Sequence, residues 1–212
     1  MRSNTLYRVP RKANIRPDEP GREKILDAAR AMFGDRGFDA TSIAEIGAGA
    51  GISKSVLYHY FGSKAGLYQA LLEHDGQALI EAVAAAVPPP EVNAPRLRPG
   101  VDAFLKFLTE HPETWNLMTR DPPADPKLRE LHKRFDDSVA ATLRFWLAAP
   151  DKRTARPELV DLVALAVRTY ASWWQDHPEV PREEVVDAIV DLAAASAHRV
   201  NGPSAHLTPD PT

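Results

Sequence analysis

The sequence predicts an all-α protein of about nine helices, an N-terminal three-helix helix-turn-helix domain followed by a helical bundle. Three features of the chain point to it. None of the 19 prolines falls between Gly21 and Val87, so that stretch is free to be helical, whereas Pro10, Pro17 and Pro20 precede it and Pro88, Pro89 and Pro90 close it. Apolar residues recur at the i, i+3, i+4, i+7 spacing of one helix face. No segment alternates apolar and polar residues over a strand's length between hairpin turns.

The elements follow in chain order. Residues 21–36 form the first helix, on the series Ile25, Ala28, Ala29, Met32 and Phe33. Residues 42–49 and 53–60 form two short helices around Gly49 and Gly51, and 63–86 a long one. Beyond that point Pro99, Pro112, Pro126, Pro157 and Pro181 each stand just before an apolar-periodic run, where proline suits a first helical turn. The helices they introduce are 100–110, with Val101, Phe104, Leu105 and Leu108; 112–120; 126–148; 156–177, with Leu159, Leu162, Val163, Ala166, Val167, Tyr170, Ala171 and Trp174; and 182–199. The ends, 1–20 and 201–212, are Pro-rich, polar and aperiodic and are expected to be mobile tails. The expected organisation is a helix-turn-helix domain over 21–66 and a second helical domain over 67–200.

A chain of 212 residues, 44% of them apolar, can build one or two cored domains but is too short for a large multidomain enzyme. With no cysteine there is no disulfide framework, thiol nucleophile, Cys-ligated zinc or Cys-bound cluster. The most apolar run, Leu79 to Val87, contains Glu81 and falls well short of the roughly 18–20 residues that span a bilayer. Residues 1–20 lack the apolar core of a secretory signal, so a cytoplasmic protein with no membrane partner is expected. His111, His132, His177 and His198 show no i, i+4 pairing with a third carboxylate ligand, and His111 and His177 precede prolines at helix ends, where capping is the expected role. No G-x-S-x-G, P-loop or dinucleotide fingerprint appears. No metal, no cofactor and no enzymatic activity is expected.

The net charge of -3 conceals an asymmetry. Residues 1–64 hold 11 Lys and Arg against 7 Asp and Glu, whereas the other 148 hold 15 against 22. A basic end of this kind suits a polyanion.

The stretch from Thr41 to Lys64 has a helix-turn-helix layout: Thr41 or Ser42 caps a short helix, Gly49 and Gly51 flank a turn, and Ser53 caps a second short helix that reaches Tyr60. Leu57 and Phe61, four apart, pack inward with Ile52, which leaves Lys54, Ser55, Tyr58 and His59 outward. Such residues beside a helix N-terminus suit phosphates and base edges. One turn of helix cannot bury all of Tyr58, His59, Tyr60 and Phe61, which weighs against a plain hairpin with core aromatics. Arg22, Lys54 and Lys64 add positive charge, and the tail adds Arg2, Arg8, Arg11, Lys12 and Arg16, although a solvated leader with no partner is an equal reading of the tail.

The run Ile25 to Leu72, ILDAARAMFGDRGFDATSIAEIGAGAGISKSVLYHYFGSKAGLYQALL, resembles the DNA-binding domain of the TetR/AcrR family of bacterial transcriptional regulators. The resemblance covers about 50 residues; the later helices fit only in number and length. It implies a homodimer placing two helix-turn-helix units in successive major grooves of a pseudo-palindromic duplex operator. Thr41 and Ser42 would meet phosphate, Ser53, Lys54 and Ser55 would lie at the start of the recognition helix with Lys54 reading bases, Tyr58, His59 and Tyr60 would supply phosphate and apolar groove contacts, and Lys64 would anchor a phosphate. Ala44 and Val56 depart from the family pattern, removing two side-chain hydrogen bonds. Gly47 and Gly49 each cost the supporting helix about 1 kcal/mol relative to Ala. Gly47 permits a close helix crossing or leaves the motif soft.

By the same resemblance residues 67–200 bind a small-molecule effector and form the dimer, with release from the operator linked to effector binding by one shared factor. Repression is the family's usual mode. All four tryptophans, 115, 146, 173 and 174, lie in this half. Phe104, Trp115, Met118, Phe135, Trp146 and Tyr170 are the candidate effector contacts, a packed core being the plainer reading of each. A hydrophobic effector ranks first, although Lys106, Arg120, Arg129, Lys133 and Arg134 are available to an anionic group. Trp174, Val186, Ile189, Val190 and Ala193 are the candidate dimer contacts, against packing within one chain. A helical small-molecule carrier with a structural helix-turn-helix, and an activator or nucleoid-type binder without effector, are the competing functions.

Overall fold

A computed structural model describes residues 20–88, 96–120, 122–147 and 157–201, with side chains over 21–88, 96–120, 122–138, 141–142 and 161–194. The two tails, including the basic residues at 2–16, and the side chain of Trp146 lie outside the described residues. Among the described residues there are nine helices and no strand: α1 Pro20–Arg36, α2 Ile43–Ala50, α3 Lys54–Phe61, α4 Lys64–Ala86, α5 Leu97–Glu110, α6 Pro112–Thr119, α7 Pro126–Leu147, α8 Pro157–Gln175 and α9 Arg182–Asn201. The main departure is α5, which starts at Leu97 and takes Pro99 into its first turn, where a missing amide costs no helical hydrogen bond.

The chain divides into two compact units, residues 1–86 with 106–139, and residues 87–105 with 140–212. This partition differs from a boundary at residue 66, because α1 packs on α6 as well as on α2 and α4.

In the first unit α1 buries Ile25, Leu26, Ala29 and Phe33, α2 buries Ile43 and Ile46, and α4 buries Leu67, Tyr68, Leu71, Leu72, Leu79 and Val83. Phe33 meets Tyr68 edge to face at 5.2 Å and stacks on Phe38 at 5.8 Å. The Tyr68 hydroxyl is 2.9 Å from His132 Nε2 on α7, and burial pushes the phenol up to about 12.

A buried carboxylate ties three helices of this unit together. Asp75 of α4, 3% exposed, accepts two hydrogen bonds from Arg30 of α1, Nε to Oδ2 at 2.7 Å and Nη2 to Oδ1 at 2.8 Å. Thr114 of α6 donates to the same carboxylate at 2.8 Å, and His74 Nδ1 lies 3.0 Å from it. Burial pushes the Asp75 carboxyl up, but Arg30, His74 and Thr114 together outweigh it and hold the group at about 2. The hydrogen bond to Asp75 raises His74 above its ordinary value. A second tie runs from the end of α6 to the end of α1, where Arg120 Nη2 donates to the carbonyls of Gly34 at 2.9 Å and Asp35 at 2.8 Å.

In the second unit Val101 and Leu105 of α5, Val163, Val167 and Ala171 of α8, and Val185, Val186, Ile189 and Ala193 of α9 are buried. Of the expected dimer contacts, Val186, Ile189 and Ala193 are at most 3% exposed and packed within their own chain, whereas Val190 is half-buried. A 3.6-residue series marks the most apolar face of a helix, and the chain's own neighbouring helix takes that face first. The apolar side chains left outside are Leu162 and Leu165 of α8, each 60% exposed, and Leu192 of α9 at 47%. Trp174 is half-buried, and its Nε1 donates to the Val180 carbonyl at 2.8 Å, which pins the α8–α9 loop. Its neighbour Trp173 is the more exposed of the two, stacked between Tyr170 and His177 at 5.2 and 4.1 Å. His177 Nδ1 donates to the Trp173 carbonyl at 2.8 Å and so caps α8, whereas His111 stands at the N-cap of α6 without a side-chain bond.

The candidate effector residues divide between the units. Trp115 and Met118 are buried within α6 of the first unit, at 5% and 3% exposure, and Phe135 of α7 is half-buried in the same unit, whereas Phe104 and Tyr170 are half-buried in the second. Phe135 lines a cavity of about 50 Å³ with Leu72, Gly76, Ile80 and Leu131, edged by Glu73, Gln77, Arg134 and Ser138. A cleft of about 490 Å³ in the second unit has none of the six as a lining residue; Arg98, Asp102, Arg182 and Glu183 give it ion-paired walls. Among the described residues no group of three or more His, Asp or Glu is placed to hold a metal, and no helix is long and apolar enough to cross a membrane.

Candidate nucleic-acid interface

The site is built from α2, α3 and the turn between them. Ser42 is the N-cap of α2 and forms a complete capping box: its Oγ accepts from the Glu45 amide at 3.2 Å, and Glu45 Oε2 accepts from the Ser42 amide at 2.9 Å. Hydrogen bonds from Ser42, with Arg36 3.0 Å away, hold the Glu45 carboxyl at about 2. Its charge is matched by Arg36.

Helix α2 ends on Gly51, whose φ of 66° is left-handed and whose amide donates to Ala48. The Ile52 amide then donates to the Gly47 carbonyl at 2.8 Å, folding the chain tightly back into α3. A side-chain carbon at Gly47 would lie 2.7 Å from the Ile52 carbonyl oxygen and 3.0 Å from Leu57 Cδ1, so this glycine is required by the approach of the two helices. The question of Gly47 is thus answered in favour of close crossing.

Ser53 caps α3: its Oγ accepts from the Val56 amide at 3.4 Å and lies 3.0 Å from Ser55 Oγ. Leu57 is 1% exposed and anchors the helix inward. At about 100° per residue the opposite arc runs from Tyr58 through Ser55 and His59 to Val56. All four are exposed, as are Ser53 and Lys54. Lys54 Nζ stands 5.8 Å from the Tyr58 ring centroid and has no carboxylate partner among the described residues.

Of the nine sequence-predicted contacts, the structure brings Ser42, Ser53, Lys54, Ser55, Tyr58 and His59 to the surface of this head. Thr41 is a correction. It is 2% exposed, and its Oγ1 donates to the carbonyls of Gly37 at 2.8 Å and Met32 at 3.2 Å, so it fixes the α1–α2 turn rather than meeting phosphate. Tyr60 is half-buried on the inward flank, its ring 6.0 Å from that of Phe61. Lys64 is half-buried, with Nζ 4.3 Å from the Phe38 ring centroid and 3.4 Å from the Asp39 carbonyl oxygen. The exposed member of this arc outside the nine expected contacts is Val56, 39% exposed; its position follows from its 100° offset from Leu57.

Thr41→Val is expected to lower stability by about 1–2 kcal/mol, because it removes a buried donor from two carbonyls. Affinity of the folded fraction for duplex DNA should change less than about twofold, since the hydroxyl is not at the surface. Urea unfolding alongside a DNA titration reads both quantities, and a large affinity loss without destabilisation would return Thr41 to the interface.

Comparison with known proteins identifies the family. The sequence model of bacterial regulatory proteins of the TetR family matches residues 25–71, and that of a tetracyclin repressor-like C-terminal domain matches residues 94–196. The HTH-type transcriptional activator FasR of Mycolicibacterium smegmatis is 30% identical over 188 residues, covering 86% of this chain and 85% of that protein. The HTH-type transcriptional regulator EthR of the same organism is 26% identical over 203 residues, 91% of this chain and 94% of its own. Among solved structures, a TetR-like transcriptional regulator from Rhodococcus sp. RHA1 superposes with a TM-score of 0.69 at 26% identity, covering 87% of this chain and 99% of that one.

Proposed function

The chain belongs to the TetR family of bacterial regulatory proteins, and from that membership we propose that it binds a pseudo-palindromic duplex operator as a homodimer, represses from it, and is released by a small hydrophobic effector. The observation that carries the DNA-reading half is the capped, outward face of α3. Ser53, Lys54, Ser55, Tyr58 and His59 stand exposed on a short helix whose backbone is fixed by Ser53 and Gly51. A helix of this kind enters the major groove with its N-terminal residues at the base edges, and Lys54 is the long donor placed there.

Dimerisation is supported by the apolar residues that the chain leaves outside, Leu162, Leu165 and Leu192. Effector response is supported by the cavity beside Phe135. At about 50 Å³ it is far below the ~300 Å³ of an ordinary ligand pocket, so an effector that seats there does so by displacing the α4 and α7 side chains around it. Helix α4 begins three residues after the recognition helix ends, and a shift of α4 moves the DNA-reading head. A second reading, activation, is favoured by one observation: the FasR relative is an activator. In vitro transcription separates the two, falling on addition of protein for a repressor and rising for an activator.

The test is a titration against the tightest duplex selected by the full-length protein from a randomised pool. Lys54→Ala should weaken binding by about tenfold or more, the value of a good base contact. Tyr58→Phe should cost about three- to tenfold, as for one ordinary hydrogen bond. Both variants should melt within about 2 °C of wild type. Wild-type affinity in both would contradict the assignment of this face.

A further inference from the structure

We propose that Val56 is a specificity-determining residue that reads the C5-methyl group of a thymine in the operator. The inference rests on the DNA-binding reading above and deepens it by naming the base that the α3 face selects.

Val56 stands in the first turn of α3, where a recognition helix meets base edges. It is 39% exposed and closes one end of an arc otherwise formed by Tyr58, Ser55 and His59. An isopropyl group carries no donor or acceptor, so it has nothing to offer a phosphate. Among major-groove edges only thymine presents an apolar group, its C5-methyl; the edges of adenine, guanine and cytosine present hydrogen-bonding atoms. The chemistry of the side chain therefore selects one base.

The position is also rigid. The Val56 amide donates to both the Ser53 carbonyl, at 3.1 Å, and the Ser53 hydroxyl, at 3.4 Å. Inward, the adjacent Leu57 is locked in the core at 1% exposure. A β-branched side chain on a helix is held to essentially one rotamer, so its methyls reach a groove without loss of side-chain freedom. What the chain gives up by exposing a valine on an eight-residue helix, where Ala would favour the helix more, is returned only when the methyls are covered.

The experiment uses the duplex selected by the full-length wild-type protein from a randomised pool. Each thymine of that duplex is replaced in turn by deoxyuridine, which removes the C5-methyl and leaves every hydrogen bond in place. For wild type, one thymine per half-site should respond, with binding weakened about three- to fivefold per half-site. Val56→Ala should bind the unmodified duplex more weakly by a similar factor and be insensitive to deoxyuridine at that position. Uniform insensitivity of wild type to deoxyuridine, or a sensitivity that Val56→Ala retains in full, overturns the role of Val56 while leaving DNA recognition standing. Failure of the wild-type protein to enrich any sequence overturns the DNA reading and the inference with it.

Discussion

Replacing Asp75 with Ala is expected to destabilise the first unit by about 3–5 kcal/mol and lower its melting temperature by about 10 °C. The carboxylate is 3% exposed and accepts four hydrogen bonds, from Arg30, Thr114 and His74. Its removal leaves a half-buried guanidinium with only Asp27, 2.7 Å away at the surface, and a buried hydroxyl without its acceptor. Because Asp75 joins α1, α4 and α6, the same change loosens the seat of the DNA-reading helices.

The pH dependence follows from the shifted groups. Asp75 is held at about 2, below its ordinary 3.8, so its contribution is complete above pH 4 and is lost as pH falls toward 2. His74 is raised above its ordinary 6.5, so its contribution is complete below that value and is lost as pH rises through the raised one. The stability gap between wild type and Asp75→Ala should therefore be widest between about pH 4 and 6, narrower at pH 8.5 and smallest near pH 2. Urea unfolding at those values measures it. A gap under about 1 kcal/mol at pH 5 would mean that Arg30 and Thr114 find other partners and that the node is not what holds the three helices.

The second large effect separates two glycines in α2. Gly47→Ala should destabilise the head by about 2–3 kcal/mol, because the new carbon meets a backbone carbonyl at 2.7 Å that cannot withdraw without breaking the Ile52 to Gly47 hydrogen bond. Gly49→Ala should be neutral or stabilising by up to about 1 kcal/mol. There the close neighbour, at 2.8 Å, is the terminal methyl of Met32, which can swing aside, and alanine favours the helix. Parallel thermal melts of the two variants give the comparison, and equal shifts of the same sign would contradict the packing described for α2 against α3.

The helices were legible because proline placement and the 3.6-residue period act locally, and so do the caps at Ser42 and Ser53. What the sequence could not resolve depends on partners far along the chain. Asp75 looks like one more surface charge on α4, since Arg30 lies 45 residues before it and Thr114 39 residues after it. Thr41 and Ser42 are adjacent hydroxyls at a helix start, and only the path of the preceding turn decides that the first is buried and the second caps. On α9 the period identifies an apolar face but not what covers it, which is why Val186, Ile189 and Ala193 read equally as interface or core. Trp115 and Met118 are buried in the first unit, and residue type alone does not separate a packed core residue from a ligand contact.

The central claim, that the exposed face of α3 reads a duplex sequence, is tested most directly by fluorescence anisotropy of the full-length protein on its selected duplex and on a scrambled duplex of equal length, at two salt concentrations. The account predicts that the selected duplex binds at least about 1,000-fold more tightly, that two chains occupy each duplex, and that the preference persists as salt rises. Equal affinities for the two duplexes, both collapsing at the higher salt, would contradict it.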